Sequence, residues 1–289
     1  MEDLTGKKAQ EILCNTDGLT VTSNISGYHL YTIDHDRRVV LALDYEITGM
    51  NTNLIPDMVK NYAHEAEAEK ICVRIPGHIA PAFIALGYQV EASVPEYYCN
   101  GEPMLIMSQF LTARRALASR VQHEAGYNLE IQYRFGQAAP IMEANLVMEE
   151  VSPENQEMAL DYYLAQSSVV SRQDLQLVTE GKPQVVFVRQ GEQIYGVGAL
   201  LIENAGRVAR VQGLITVNSD EVVARALINH LWHWAERQGV TCLYSITSTL
   251  DDVINRVLPA VGFSFRGKLG ADTISDGQYA DRYVWSRSL

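Results

Sequence analysis

At 289 residues, 47% hydrophobic and 20% charged, the chain has an ordinary globular composition, long enough for one large or two medium domains, and neither a disordered nor a fibrous class fits it. A formal charge of −12 opposes binding to nucleic acid through phosphate neutralisation. No apolar run reaches membrane-spanning length and the first ten residues lack the apolar stretch of a signal peptide, so the expectation is a cytoplasmic protein with no membrane and no nucleic-acid partner.

In chain order, strand-like runs come first, at residues 19–22, 28–33 and 39–43, split by Gly27 and by a polar turn at His35-Asp36. Residues 55–68 have a helical pattern and 71–75 read as a buried strand. A short helix over 79–86 stops at Gly87, which lacks a Cβ and can take the left-handed cap. Strands follow at 88–93 and 104–110, around a loop at 95–103. Residues 111–124 form a connecting helix rich in Arg and Ala, and 126–140 have turn residues without a clear period, which places a domain boundary there.

The second part opens with a strand at 141–151 and a helix introduced by Ser152-Pro153-Glu154. Strands at 184–189 and 193–202 turn at Gln190-Gly191-Glu192, and a third spans 209–217. A helix over 219–238 carries Val223, Leu227, Leu231 and Trp234 on one face. Then come a buried strand at 240–246, a helix at 251–261 and strands at 263–268 and 279–286. The expected domains are 1–125 and 139–289.

Several residue groups read as structural. Cys14, Cys72, Cys99 and Cys242 are too widely spaced for a paired-cysteine motif, and Cys72 and Cys242 lie in apolar runs where cysteine acts as a small hydrophobe, so no metal site is expected. His230 and His233 lack the spacing of a two-histidine metal site on a helix. Tyr97, Tyr98, Trp232 and Trp234 supply packing bulk, and Gly191, Gly196 and Gly198 read as hairpin and strand glycines.

The chain also repeats itself. Ala85-Leu86-Gly87-Tyr88 returns as Ala260-Val261-Gly262-Phe263, each in the order helix, apolar strand, helix, glycine-aromatic step, strand, strand. Matching order on both sides points to a duplication, and two copies predict two similar domains. The fold class expected is α/β, two tandem domains, each a mixed, mostly antiparallel sheet with flanking helices.

That order of elements resembles the GNAT acyltransferases, and some stretches are similar to the beta-lysine N-acetyltransferases of bacteria and archaea. The residues that carry the likeness in the first half are Gly87-Tyr88-Gln89-Val90-Glu91-Ala92-Ser93-Val94-Pro95, Tyr98, Asn100-Gly101-Glu102 and Met107-Ser108. In the second half they are Tyr244-Ser245-Ile246, Asn255, Gly262-Phe263, Gly277-Gln278-Tyr279 and Val284-Trp285. The resemblance implies acetyl-coenzyme A (acetyl-CoA) as co-substrate, held in a V-shaped gap between two splayed central strands, and a small-molecule amine as acceptor. It implies coenzyme contacts from Thr216 and Val217 at the end of the splayed strand, from Arg225 one turn into the next helix, and from Asn255 near the thioester. A homodimer is compatible with it.

Two departures stand out. The family's pyrophosphate turn has spaced glycines whose N–H groups close on the phosphates. Here the turn reads Asn218-Ser219-Asp220-Glu221-Val222-Val223-Ala224-Arg225, in which Ser219 or Asp220 would cap the helix and two carboxylates would face a diphosphate. The strand at 209–217 also lacks the carboxylate that the family often uses as base, and Leu258 stands where it often has a tyrosine acid. Tyr244 is the remaining candidate catalytic hydroxyl, with a core role as its other reading. The function expected is acetyl transfer from acetyl-CoA to the amine of a small substrate such as an amino acid. The alternative is a catalytically degenerate GNAT-fold protein acting as a ligand-binding or protein-interaction module.

Overall fold

The computed structural model describes residues 19–25, 28–43, 52–120, 147–151, 184–203 and 207–288. Among these residues thirteen strands form one continuous sheet in the order β1-β2-β3-β4-β6-β5-β12-β13-β11-β10-β9-β8-β7. The first half supplies β1 (Leu19–Ile25), β2 (Tyr28–Ile33), β3 (Arg38–Leu43), β4 (Lys70–Pro76), β5 (Gln89–Val94) and β6 (Met104–Phe110). Helix α1 (Ile55–Glu65) crosses from β3 to the parallel strand β4, and α2 (Ala80–Ile84) leads into β5. Residues 113–120 are helical (α3).

The second half supplies β7 (Val147–Glu150), β8 (Gln184–Gln190), β9 (Gln193–Glu203), β10 (Val208–Thr216), β11 (Cys242–Ser248), β12 (Ser264–Ser275) and β13 (Gln278–Ser288). Helix α4 (Glu221–Arg237) crosses from β10 to the parallel strand β11, and α5 (Asp252–Ala260) leads into β12. Strands β8 to β13 therefore repeat the order of β1 to β6, with the final hairpin strand of each half wedged between its two predecessors. The expected tandem α/β organisation is the one observed. Its boundaries at 125 and 139, and the helix begun by Ser152-Pro153-Glu154, lie outside the described residues.

The repeated glycines are equivalent in detail. Gly87 has φ +87° and Gly262 φ +91°. The next residue closes the helix end each time: Tyr88 N–H donates to the Phe83 carbonyl at 3.1 Å, and Phe263 N–H to the Leu258 carbonyl at 3.0 Å.

The helix faces bury as their periodicity predicts. Val223, Leu227 and Leu231 of α4 are buried against β8 to β11 and α5, with Trp234 at the rim. A Cβ on Gly196 would stand 2.7 Å from Val223, so the bare strand backbone lets α4 settle directly on β9. On the sheet face away from α4 and α5, residues of both halves share a core that includes Ile33, Val40, Cys72, Val208, Cys242 and Tyr244. Cys72, Cys99 and Cys242 are free thiols, and burial pushes the Cys242 thiol up to about 12. Cys14 is outside the described residues.

The halves join where β5 meets β12, with Ala92 paired to Gly267. Gly267 has φ +145°, and a Cβ there would fall 2.6 Å from the Ala92 Cα, so only glycine fits the junction. Beyond it β12 runs on to Ser275, well past the expected end at 268, because first-half residues hold its polar continuation. The Asp272 side chain, fully buried, meets Lys70 Nζ at 3.1 Å through Oδ1, and Arg38 and Arg282 through Oδ2. Lys70 also meets Glu91 at 2.9 Å and the Gly270 carbonyl at 2.8 Å. Arg115 of α3 donates to the carbonyls of Ala271 at 2.8 Å and Asp272 at 3.0 Å, and Asp36 accepts from Ile274 N–H at 2.8 Å. Burial alone would push the Asp272 carboxyl up, but the cations of Arg282, Arg38 and Lys70 outweigh it and hold it well below the usual carboxylate range.

Two substitutions test this junction. Gly267→Ala should separate β5 from β12 and lower the thermal midpoint, whereas Gly87→Ala, whose added Cβ has 3.6 Å of room, should show only the backbone cost of about 1 kcal/mol. Asp272→Asn should lose about 3–5 kcal/mol at neutral pH, as for removal of one partner from a buried ion cluster. Because the folded carboxyl is held down, its contribution is complete above the unfolded value of about 3.9 and fades as pH falls below it. Urea titrations of both proteins should therefore show a gap that is constant from neutral pH to about 5 and narrows below about 4. A gap that widened on acidification would be the wrong sign.

Candidate functional site

The parallel pair β10 and β11 forms a fork. It bonds over four rungs, from Val208 with Cys242 to Val211 with Ser245, and the Ser245 hydroxyl donates to the Val211 carbonyl at 3.0 Å on the last one. Past that rung β10 continues to Thr216 and β11 to Ser248 without pairing to each other. Gly213, at φ +60°, sits in a bulge between Gln212 and Ile215 that bends β10 while it stays bonded to β9. Backbone groups facing the gap can bond an extended, amide-containing chain.

Asn255 of α5 sets the far side of the fork. Its Nδ2 donates to the Ser248 carbonyl at 2.8 Å and its Oδ1 accepts from the Thr247 hydroxyl at 2.6 Å, while the Trp285 indole N–H reaches the same hydroxyl at 3.1 Å. Asn255 is fully buried and bonds to β11 with both ends of its amide, so it meets the fork through that strand.

At the tip of β10, Thr216 still pairs with Gly196, and Val217 opens a short 3-10 turn in which Asn218 takes the left-handed conformation at φ 53°. Asp220 is the cap that the sequence left open between it and Ser219. Its Oδ1 accepts from Val222 N–H at 2.8 Å and Val223 N–H at 3.2 Å, occupying donors that a phosphate would need. Glu221 is turned to Arg256, 2.7 Å away. Arg225 Nε is buried without a partner among the described residues.

Tyr244 lies elsewhere. It pairs in register with Arg210, six positions before Thr216, or roughly 20 Å along an extended strand. Fully buried, it donates its hydroxyl proton to Glu203 Oε2 at 2.6 Å. Burial and then the Glu203 charge hold the phenol well above its usual range, so it stays protonated. Tyr97, from the first half, donates to the same oxygen at 3.0 Å, and Arg210 Nε stands 3.4 Å from Glu203 Oε1. Thr216, Val217 and Arg225 thus gather at one end of β10, Tyr244 at the other and Asn255 beside the tip of β11.

Two residues of this region are given no role in the sequence reading, although Gln212 lies on its strand at 209–217. Glu203 ends the apolar run of β9, where an acid reads as the start of a loop. Gln212 follows the last paired residue of β10 and is only 6% exposed, with neither amide atom bonded to any described residue. A glutamine inside the apolar run 208–215 was the available signal. The two helix histidines are apart, His230 Nε2 lying 3.9 Å from Glu150 and His233 Nδ1 3.0 Å from Glu236.

No family model and no curated protein matches this chain. Among solved structures, the spermidine N-acetyltransferase of Vibrio cholerae in complex with CoA and spermine aligns over 50% of this chain and 96% of its own, at 15% identity and a TM-score of 0.42. A probable acetyltransferase from Staphylococcus epidermidis aligns over 50% and 98%, at 17% identity and 0.41. The ribosomal-protein-alanine N-acetyltransferase of Brucella melitensis aligns over 50% and 99%, at 14% and 0.42. The two halves share one strand order, each with a helix crossing between two parallel strands, and the forked pair lies in the second. No helix among the described residues is long and apolar enough to cross a membrane.

Asp220→Asn keeps a good cap while removing a charge from the helix end. Thermal stability should hold, and a diphosphate-bearing ligand at this helix end should bind about two- to fivefold more tightly by calorimetry, the effect of one charge at a helix terminus. Unchanged or weaker binding would mean that the phosphates do not lie at this end.

Proposed function

We propose that this chain is an N-acyltransferase that takes acetyl-CoA into the fork between β10 and β11 and passes the acetyl group to the amine of a small substrate such as an amino acid. The observation that carries the reading is the fork itself: two parallel strands that stop pairing at Val211 and Ser245 yet run on in extended conformation. Such a gap suits the pantetheine arm, whose amides would bond the freed backbone near Thr216 and Val217. Arg225 is the cation closest in sequence to the phosphate end. Asn255 acts by fixing the tip of β11, and Tyr244 by holding Glu203.

In the reaction the amine nitrogen attacks the thioester carbonyl, the C–N bond forms and the C–S bond breaks. The proton that the nitrogen loses balances the one that the departing thiolate gains. Glu203 touches the strand pair through Tyr244 and Arg210, and Tyr97 also donates to it, so its oxygens already face two phenols and a guanidinium. On this reading deprotonation falls to water and to the amine's own equilibrium. A missing positioned base costs about a hundredfold to ten-thousandfold in rate.

Thiol release from acetyl-CoA, assayed with a panel of diamines and amino acids, should show slow turnover that still rises at alkaline pH. A plateau near neutrality would mean that a base has been overlooked. No turnover with any amine, together with no coenzyme binding by calorimetry, would favour the non-catalytic reading.

A further inference from the structure

Gln212 is the least satisfied polar side chain near the fork. A buried amide without partners is destabilising, so its presence at 6% exposure, unbonded to any described residue, calls for a function or a bound group. Its position is specific, being the first residue of β10 beyond the last rung shared with β11. Ala209 and Val211 point into the core under α4, and Arg210 points to the opposite face, where it meets Glu203. By strand alternation Gln212 shares that opposite face, at the crotch of the fork.

The structure assigns to Gln212, on our reading of the fork as the acyl-coenzyme A site, a direct catalytic contact with the reacting centre. We infer that its Nε2–H donates to the thioester oxygen and its Oε1 accepts from the N–H of the attacking amine. As the nitrogen adds to the carbonyl carbon, the C=O electron pair moves to oxygen and the donor stabilises that charge. Collapse re-forms the carbonyl, breaks the C–S bond and sends the pair to sulfur, which takes up a proton while the nitrogen gives one to solvent. The tetrahedral species can offer its oxygen and its N–H on one side. The trans amide product holds them on opposite edges, so Gln212 binds the transition state better than the product.

Gln212→Met and Gln212→Leu remove the amide and nearly keep its bulk, and replacing an orphaned amide by an apolar chain should leave the thermal midpoint equal or higher. Coenzyme A affinity should stay within about threefold while turnover falls about a hundred- to a thousandfold, the effect of one lost oxyanion donor. In isotope-edited infrared spectra of bound acetyl-CoA, labelled at the thioester carbonyl, the stretch should be lowered in wild type and return toward the solution value in the Met variant. Wild-type turnover with a normal carbonyl stretch, or either variant within threefold of wild-type turnover, would overturn the assignment and leave the acyltransferase reading intact. If wild type neither binds coenzyme A nor releases thiol, both fall together.

Discussion

A buried carboxylate joins the two halves of this molecule. Asp272 sits near the end of β12, and its oxygens are divided between Lys70 and Arg38 of the first half and Arg282 of the second. An apolar cluster of the same volume would serve stability as well, since buried charges must recover their lost hydration. What the charges add is register. A slip of β12 by one residue would carry Asp272 to the other face of the sheet and strand three cations. With β12 fixed, β13 pairs along it and then along the whole of β11, from Cys242 with Ser288 to Ser248 with Arg282. Trp285 of β13 and Asn255 of α5 both reach Thr247, at the end of that strand. The side of the fork opposite β10 is therefore positioned by a chain of contacts that begins at the inter-half junction.

The two halves keep one topology but not one geometry. In the first, β3 and β4 pair over five rungs, from Arg38 with Lys70 to Ala42 with Arg74, and the residues that follow Leu43 lie outside the described ones. In the second, the pair separates after four rungs and both strands run on. The first half instead supplies what the second lacks: Asp36, Arg38, Lys70 and Glu91 at the junction, and Tyr97 on Glu203. The first half thus braces the second at the junction and at Glu203.

The regular elements were legible because burial imposes period. Val223, Leu227 and Leu231 marked the face of α4, and the glycine-aromatic steps at Gly87 and Gly262 marked both helix ends. The fork was less legible, since β10 and β11 each read as an ordinary apolar strand and nothing local says where their pairing stops. The end of β12 was missed because Gly270, Ala271 and Asp272 look like a loop until Arg115 and Lys70 are beside them. Asn255 was visible, but its partners on β11 were not, so it read as a ligand contact when its amide bonds to Thr247 and Ser248. Long-range pairing decided each of these, and a single sequence does not display it.

The helix end and the crotch of the fork pull in different directions. Asp220 occupies the donors that would hold a diphosphate, while Gln212 offers a buried amide with no partner among the described residues. On the proposed acyltransferase reading, the two are reconciled if the acyl end of the coenzyme is gripped and the nucleotide end held loosely. The most direct measurement is a crystal structure with coenzyme A or a non-hydrolysable acetyl analogue. The account predicts the pantetheine arm between β10 and β11, with its reactive carbonyl in hydrogen-bond reach of Gln212; a coenzyme bound elsewhere, or a fork still empty at saturating ligand, would contradict it.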